Sequence, residues 1–233
     1  MTGTIGARAG SILVGMATAI VIVTIAIVPF LTPPWLAFEQ GRAQATAWTG
    51  YSEADLAMVT NAIVADLVVG PAHFDVELGG APVLNERERS HMRDVRTVFL
   101  GLWALAAASL LVLAVAALRT DRTRAWRAVS RGAATLAVGV IGIGVVALVA
   151  FDALFELFHR IFFAGGTYTF DPGEERLVQL FPFQFWQETA MAVGAVIVVL
   201  CAIVWRVAAA RGRADRTRLT AVREPARAAT EGA

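Results

Sequence analysis

The stretch TVFLGLWALAAASLLVLAVAAL, from Thr97 to Leu118, carries no charge over 22 residues. About 20 apolar residues in a helix cross roughly 30 Å of hydrocarbon, so this run is long enough to span a bilayer once. Arg96 closes it on one side and Arg119 on the other. Three more uncharged runs lie at 11–31, 132–150 and 189–205. Read as helices, the third extends to residue 156 and the fourth covers 188–208. The pattern predicts an all-α membrane protein with four transmembrane helices, residues 1–210 forming a single integral membrane domain. The first run exceeds the roughly 7–15 apolar residues of a secretion signal, and no A-x-A site lies directly after it. Thr32-Pro33-Pro34-Trp35 closes it as a helix stop with an interfacial aromatic, so it reads as an uncleaved span.

Composition agrees. Hydrophobic residues make up 57% of the chain and charged residues 17%, against about a quarter in soluble domains. Mean hydropathy is +0.63. A net charge of +1 gives no footing for nucleic acid. All 20 basic residues are arginine, which excludes a Schiff-base lysine and a Walker-type phosphate loop. Cys201 is the single cysteine, so it has no internal disulfide partner; near one end of the fourth run, it reads as packing.

Thirteen arginines flank the first run or fill the segments between runs two and three and after run four; seven lie elsewhere. The positive-inside rule then predicts cytoplasmic termini in a cell-membrane protein, with 32–96 and 159–187 outside. The tail, 211–233, is polar, rich in arginine and alanine, and expected to be flexible.

The longer outer segment is expected to be structured. Ser52-Glu53-Ala54-Asp55 has the form of a helix start, and Leu56, Val59, Ile63, Val64 and Leu67 recur at helical spacing up to Gly70-Pro71. Gly79-Gly80 between short alternating stretches predicts a small hairpin within 74–84. Asn85 and Glu88 form the ends of a capping box, whose helix is predicted to run on into the span at 97–118.

Two histidines stand where spans meet water. His91 shares a helix face with Glu88 and Asp94, three residues to either side. His159 follows Glu156 and Asp152 on one face at the end of the third span. Carboxylates at a membrane boundary are costly unless paired or wetted, which marks this stripe as a candidate site. An acid beside either imidazole would orient it and raise its basicity. A lone interfacial histidine is most often solvated, and His73 reads so. No H-x-x-x-H or H-E-x-x-H pattern supports a metal site, and no cofactor is expected. Gly139, Gly142 and Gly144 read as close helix-packing positions.

Two stretches resemble a known family. NERERSHMRDVR, residues 85–96, is similar to the "E..HM.DV" stretch of four-span bacterial membrane proteins that include the lipoprotein intramolecular transacylases. FHRIFF at 158–163, followed by YTFDP at 168–172 and the segment 177–185, is similar to that family's second signature. The resemblance extends from about Tyr51 to Trp186. The chain departs from it at Tyr168, where a tryptophan is expected, and at Glu175-Arg176, where an aspartate is expected.

The resemblance implies an acyltransferase. The sn-2 acyl chain of a diacylglyceryl-cysteine lipoprotein would pass to that cysteine's own α-amine, with His91 and His159 as the catalytic pair. Asp94, Glu88 and Glu156 would support the imidazoles, and Arg93, Arg160 and Tyr168 are candidate donors to the oxyanion. The implied partners are diacylglyceryl lipoproteins and membrane lipid. The site would lie at the outer face, where a histidine can take a proton from the amine and return one to the glycerol oxygen. The rival reading is a non-enzymatic sensor or assembly partner. A permease fits less well, because the middles of all four spans are apolar and no repeat is visible.

Overall fold

The computed structural model describes residues 2–163 and 167–231, with side chains through residue 215 from Arg8 onward. Four helices are long and apolar enough to cross a membrane, as the uncharged runs predict. They are α1 (Thr2–Ile27), α5 (Glu86–Arg119), α6 (Arg122–Phe162) and α8 (Phe183–Glu231). The tail expected at 211–233 falls largely outside the described side chains. Between α1 and α5 lie α2 (Pro33–Arg42), α3 (Ala45–Thr49), α4 (Glu53–Val68) and a hairpin of β1 (Glu77–Leu78) and β2 (Ala81–Pro82); α7 (Arg176–Leu180) precedes α8. Large apolar side chains point outward along the spans, with Val149 87% and Leu118 86% exposed, as lipid-facing positions should be.

Residues 86–96 of α5 carry seven charged side chains, so the membrane-spanning part of α5 begins after Arg96. His91 lies on the helical extension outside it. That extension starts at the predicted capping box. The Asn85 Oδ1 accepts from the Glu88 N–H at 3.0 Å, and the Glu88 Oε2 accepts from the Asn85 N–H at 2.7 Å. The predicted cap of α4 also forms, Ser52 Oγ accepting from the Asp55 N–H at 3.1 Å. The hairpin turns on Gly79 and Gly80, whose φ values of 62° and 79° suit glycine.

Two expectations change. Thr32-Pro33-Pro34-Trp35 not only stops a helix but starts one, because proline at the first turn of α2 gives up an N–H that would have no partner anyway. The arginine-rich segment between spans two and three is helical from Arg122, leaving only Thr120 and Asp121 as a turn. Asp121 Oδ1 caps it by accepting from the Arg124 N–H at 3.0 Å, and arginine is a good helix former. Helix α6 then breaks at Ala150 (φ −144°, ψ 41°), and the short regular segment beyond carries His159.

The described chain divides into two compact units. One comprises Ile27–Ala104 and Ile143–Ala195, the other Met1–Ala26, Leu105–Gly142 and Val196–Ala233. The first has a core in which Val59, Phe74 and Leu180 are fully buried. Within it, Gln40 Nε2 donates to Thr60 Oγ1 and to the Leu180 carbonyl, both at 2.9 Å, tying α2 to α4 and α7. Arg42 Nε donates to Glu188 Oε2 at 2.5 Å, tying α2 to the start of α8. Beside that pair, burial and then the proximity of Glu188 push the carboxyl of Glu39 up to about 7.

In the second unit, α1 and α6 meet at glycines. A Cβ on Gly132 would lie 2.4 Å from the Gly15 carbonyl oxygen, so α6 tolerates no side chain there, whereas a Cβ on Gly15 would meet the Gly132 Cα in ordinary contact at 3.4 Å. The packing role expected for Gly139, Gly142 and Gly144 is not met: a Cβ at any of them would find nothing within 4 Å. Cys201 is buried at 1% exposure, in keeping with packing.

Candidate active site

The extension of α5 and the last turns of α6 bring the two histidines together. The rings of His91 and His159 lie 6.1 Å apart between centroids and within 19° of parallel. They are 6% and 9% exposed. Aromatic side chains enclose them. Phe163 lies 4.9 Å from His91 and 5.5 Å from His159, Phe170 5.4 Å from His91, Phe155 4.2 Å and Tyr168 5.0 Å from His159. His73, by contrast, is exposed.

The two imidazoles differ in what they touch. His159 Nδ1 lies 2.7 Å from the Phe155 carbonyl oxygen, one helical turn back. A carbonyl only accepts, so Nδ1 carries the hydrogen, and in the neutral ring the lone pair is on Nε2. His91 Nδ1 is buried with no hydrogen-bond partner. Burial, then the neighbouring His159, brings the His91 imidazole down to about 4, with the Asp94 charge opposing. His91 is therefore neutral at physiological pH.

The carboxylates expected to orient the imidazoles are placed otherwise. Glu88 has its Oε2 in the capping box and its Oε1 accepting from the Leu177 N–H at 2.6 Å, so it links α5 to α7 rather than to His91. Burial raises its carboxyl above the ordinary range against those N–H groups. Asp94 is exposed and reaches His91 through its charge alone. Asp152 is also exposed. Glu156 Oε1 accepts from Arg160 Nε at 2.8 Å and from Tyr168 Oη at 3.2 Å. Arg93 donates to Glu86 at 2.7 Å. Thus Arg93, Arg160 and Tyr168 are each paired with a carboxylate in this state, while the Tyr168 ring still covers His159. Among the described residues, no three His, Cys, Asp or Glu side chains converge as a metal site would require.

One assembly was not anticipated. Arg87, one turn before His91, stacks its guanidinium 5.0 Å over the Phe170 ring and donates to the Thr169 carbonyl at 2.9 Å. It also pairs with Glu175. Glu175 is 7% exposed and accepts in addition from Asn85 Nδ2 at 3.3 Å and the Asp171 N–H at 2.7 Å. Burial pushes the Glu175 carboxyl up, but Arg87, the Asp171 N–H and Asn85 together hold it below the usual carboxylate range. The strap that brings Tyr168 and Phe170 to the histidines is thus pinned to the helix bearing His91. The i, i+4 spacing of Arg87 and His91 carried a signal of this, but the partner lies 88 residues away.

A helical membrane protein of four spans, with two buried histidines stacked under aromatic cover, is the class that this fold and site define. The family model of the lipoprotein intramolecular transacylase Lit matches residues 11–186. The chain belongs to that family. Its fold is that of the membrane-integral lipoprotein intramolecular transacylase Lit from Bacillus cereus, at a TM-score of 0.71 and 16% identity, over 89% of this chain and 97% of that one. A second structure of that enzyme, with a histidine-to-alanine substitution, aligns at 0.71 and 15% identity over 93% and 98%. A search of curated proteins found no match.

Proposed function

We propose that the chain moves an acyl chain from the sn-2 position of a diacylglyceryl-cysteine lipoprotein to the α-amine of the same cysteine, using His91 and His159 at the outer face of the cell membrane. The observation that carries this reading is the buried, stacked histidine pair in a member of the Lit family. The arginine distribution supports the orientation, with both termini in the cytoplasm.

The chemistry divides between the rings. An α-amine with an ordinary pKa near 8 is nucleophilic only when neutral. Its nitrogen bonds to the sn-2 carbonyl carbon, and His159 takes the proton at Nε2, its Nδ1–H staying on the Phe155 carbonyl. As the tetrahedral intermediate collapses, the bond from the carbonyl carbon to the glycerol oxygen breaks. The His159 imidazolium returns the proton to that oxygen. His91, held neutral, donates an N–H to the developing oxyanion, a role that suits an imidazole too weakly basic to carry charge. Amine and ester belong to one molecule, so proximity supplies much of the rate.

Expression of His91→Ala and His159→Ala in a lipoprotein-producing host, with mass analysis of the lipoprotein N-terminal peptide, tests the pair. Each substitution is expected to reduce the N-acyl, lyso-form product by at least about 100-fold. Wild-type amounts from either variant would overturn the pair. A well-folded wild-type chain that leaves lipoprotein N-termini unchanged would favour the non-enzymatic reading.

A further inference from the structure

The unit built from Met1–Ala26, Leu105–Gly142 and Val196–Ala233 holds a cavity of about 610 Å³ that acyl transfer at the histidines does not use. Its size is that of a small-ligand site, roughly 300–1,000 Å³. Helix α1 forms one wall with Val14, Thr18, Ile22 and Ile25, which share a face. Thr18 Oγ1 donates to the Val14 carbonyl at 2.8 Å, so the only hydroxyl on this wall is satisfied within its own helix. From Val14 to Ile25 the wall extends for about 16 Å, at 1.5 Å per helical residue. Apolar residues of α5, α6 and α8 complete the slot.

One end of the slot has different chemistry. Arg122 and Trp126 of α6 and Arg211 and Asp215 of α8 line it there. The side chains of Arg122 and Arg211 are exposed and make no ion pair or hydrogen bond among the described residues. Two guanidiniums against one carboxylate leave this end cationic, and an indole at that level is typical of the membrane–water boundary. A slot that is apolar along its length and cationic at its interfacial end matches an acyl chain joined to a phosphate.

We infer that this slot binds an anionic phospholipid, with one acyl chain along α1 and its phosphate meeting Arg122 and Arg211. Basic sites between spans hold anionic headgroups through such contacts. Charge disfavours the other occupants. The chain's own segment 216–231 has four arginines against two glutamates, and the mouth of a second copy would be equally cationic.

Full-length protein is exchanged into mixed phosphatidylglycerol and phosphatidylcholine, and the retained lipid is read by native mass spectrometry. Phosphatidylglycerol is expected to be retained over phosphatidylcholine by on the order of 10-fold. Combined Arg122→Gln and Arg211→Gln should abolish that preference, Lys at both positions should keep most of it, and Arg124→Gln, outside the slot, should leave it unchanged. Ile22→Trp, which fills the slot, should lower retention of both lipids; if the variant is unfolded, the Gln and Lys pairs decide alone. Equal retention of the two lipids by the wild type, or a preference that survives the double Gln substitution, overturns the proposal. So does displacement of the bound species by inorganic phosphate alone, or a dimer that forms in place of lipid binding.

Discussion

At the scale of single residues, the two histidines make different demands on pH. His91, brought down to about 4 by burial, is neutral between pH 6 and 9. Lowering pH from 9 to 6 therefore leaves His91 unchanged while it protonates the substrate amine, whose ordinary pKa is near 8. The initial rate on a purified diacylglyceryl lipopeptide is expected to fall as pH drops below about 8, following the amine. An inflection near 6.5 that disappears in His91→Asn would contradict this. Asparagine keeps an N–H donor but loses the basic nitrogen, so His91→Asn should retain more activity than His91→Ala if His91 serves as a donor. His159 differs because its Nδ1 is engaged by the Phe155 carbonyl at 2.7 Å, which leaves Nε2 as the nitrogen available to the proposed reaction.

At the scale of elements, the close approach of α1 and α6 depends on Gly132, which faces the Gly15 backbone. Replacing Gly132 by leucine forces a side chain into the Gly15 carbonyl, which a Cβ alone would already approach to 2.4 Å. The expected cost is about 1–3 kcal/mol, seen as a lower thermal midpoint in detergent. Gly139→Leu, facing open space, should change the midpoint little. This contrast also shows what was legible in sequence. The four spans, the capping box at Asn85–Glu88 and the cap at Ser52 were readable, since each depends on residues within a few turns. Which glycines pack was not, because the partner of Gly132 is 117 positions away. Helices α2, α3 and α7 were missed for a related reason: short helices owe their stability to tertiary contacts, here the bonds from Gln40 to Thr60 and Leu180. The same limit applied at the site. Both histidines stood out, but of the carboxylates chosen by helical spacing as their supports Glu88 and Glu156 bond elsewhere and Asp94 acts on His91 through its charge alone, and the pin of Glu175 on Arg87 joins segments 88 residues apart.

For the whole molecule, the arginine distribution makes a prediction about sidedness that the single buried cysteine renders simple to check. In a Cys201→Ala background, cysteine at Ala81 in the hairpin should react with a membrane-impermeant maleimide on intact cells. Cysteine at Ala210 should react only after permeabilisation. The reverse labelling would invert the orientation and place the histidines on the cytoplasmic side. Glu88 has a further consequence, which concerns biogenesis. Its carboxylate serves the start of α5 and the N–H of Leu177, 89 residues later in the chain. Synthesis delivers α5 and α6 before Leu177 leaves the ribosome, so the helix carrying His91 waits for a ligand not yet made. A carboxylate destined for burial stays hydrated until then, because burying it unpaired is costly. Completion of the site is thereby coupled to arrival of the segment leading into the fourth span, and a chain truncated before it lacks the contact that docks α7 against the histidine-bearing helix.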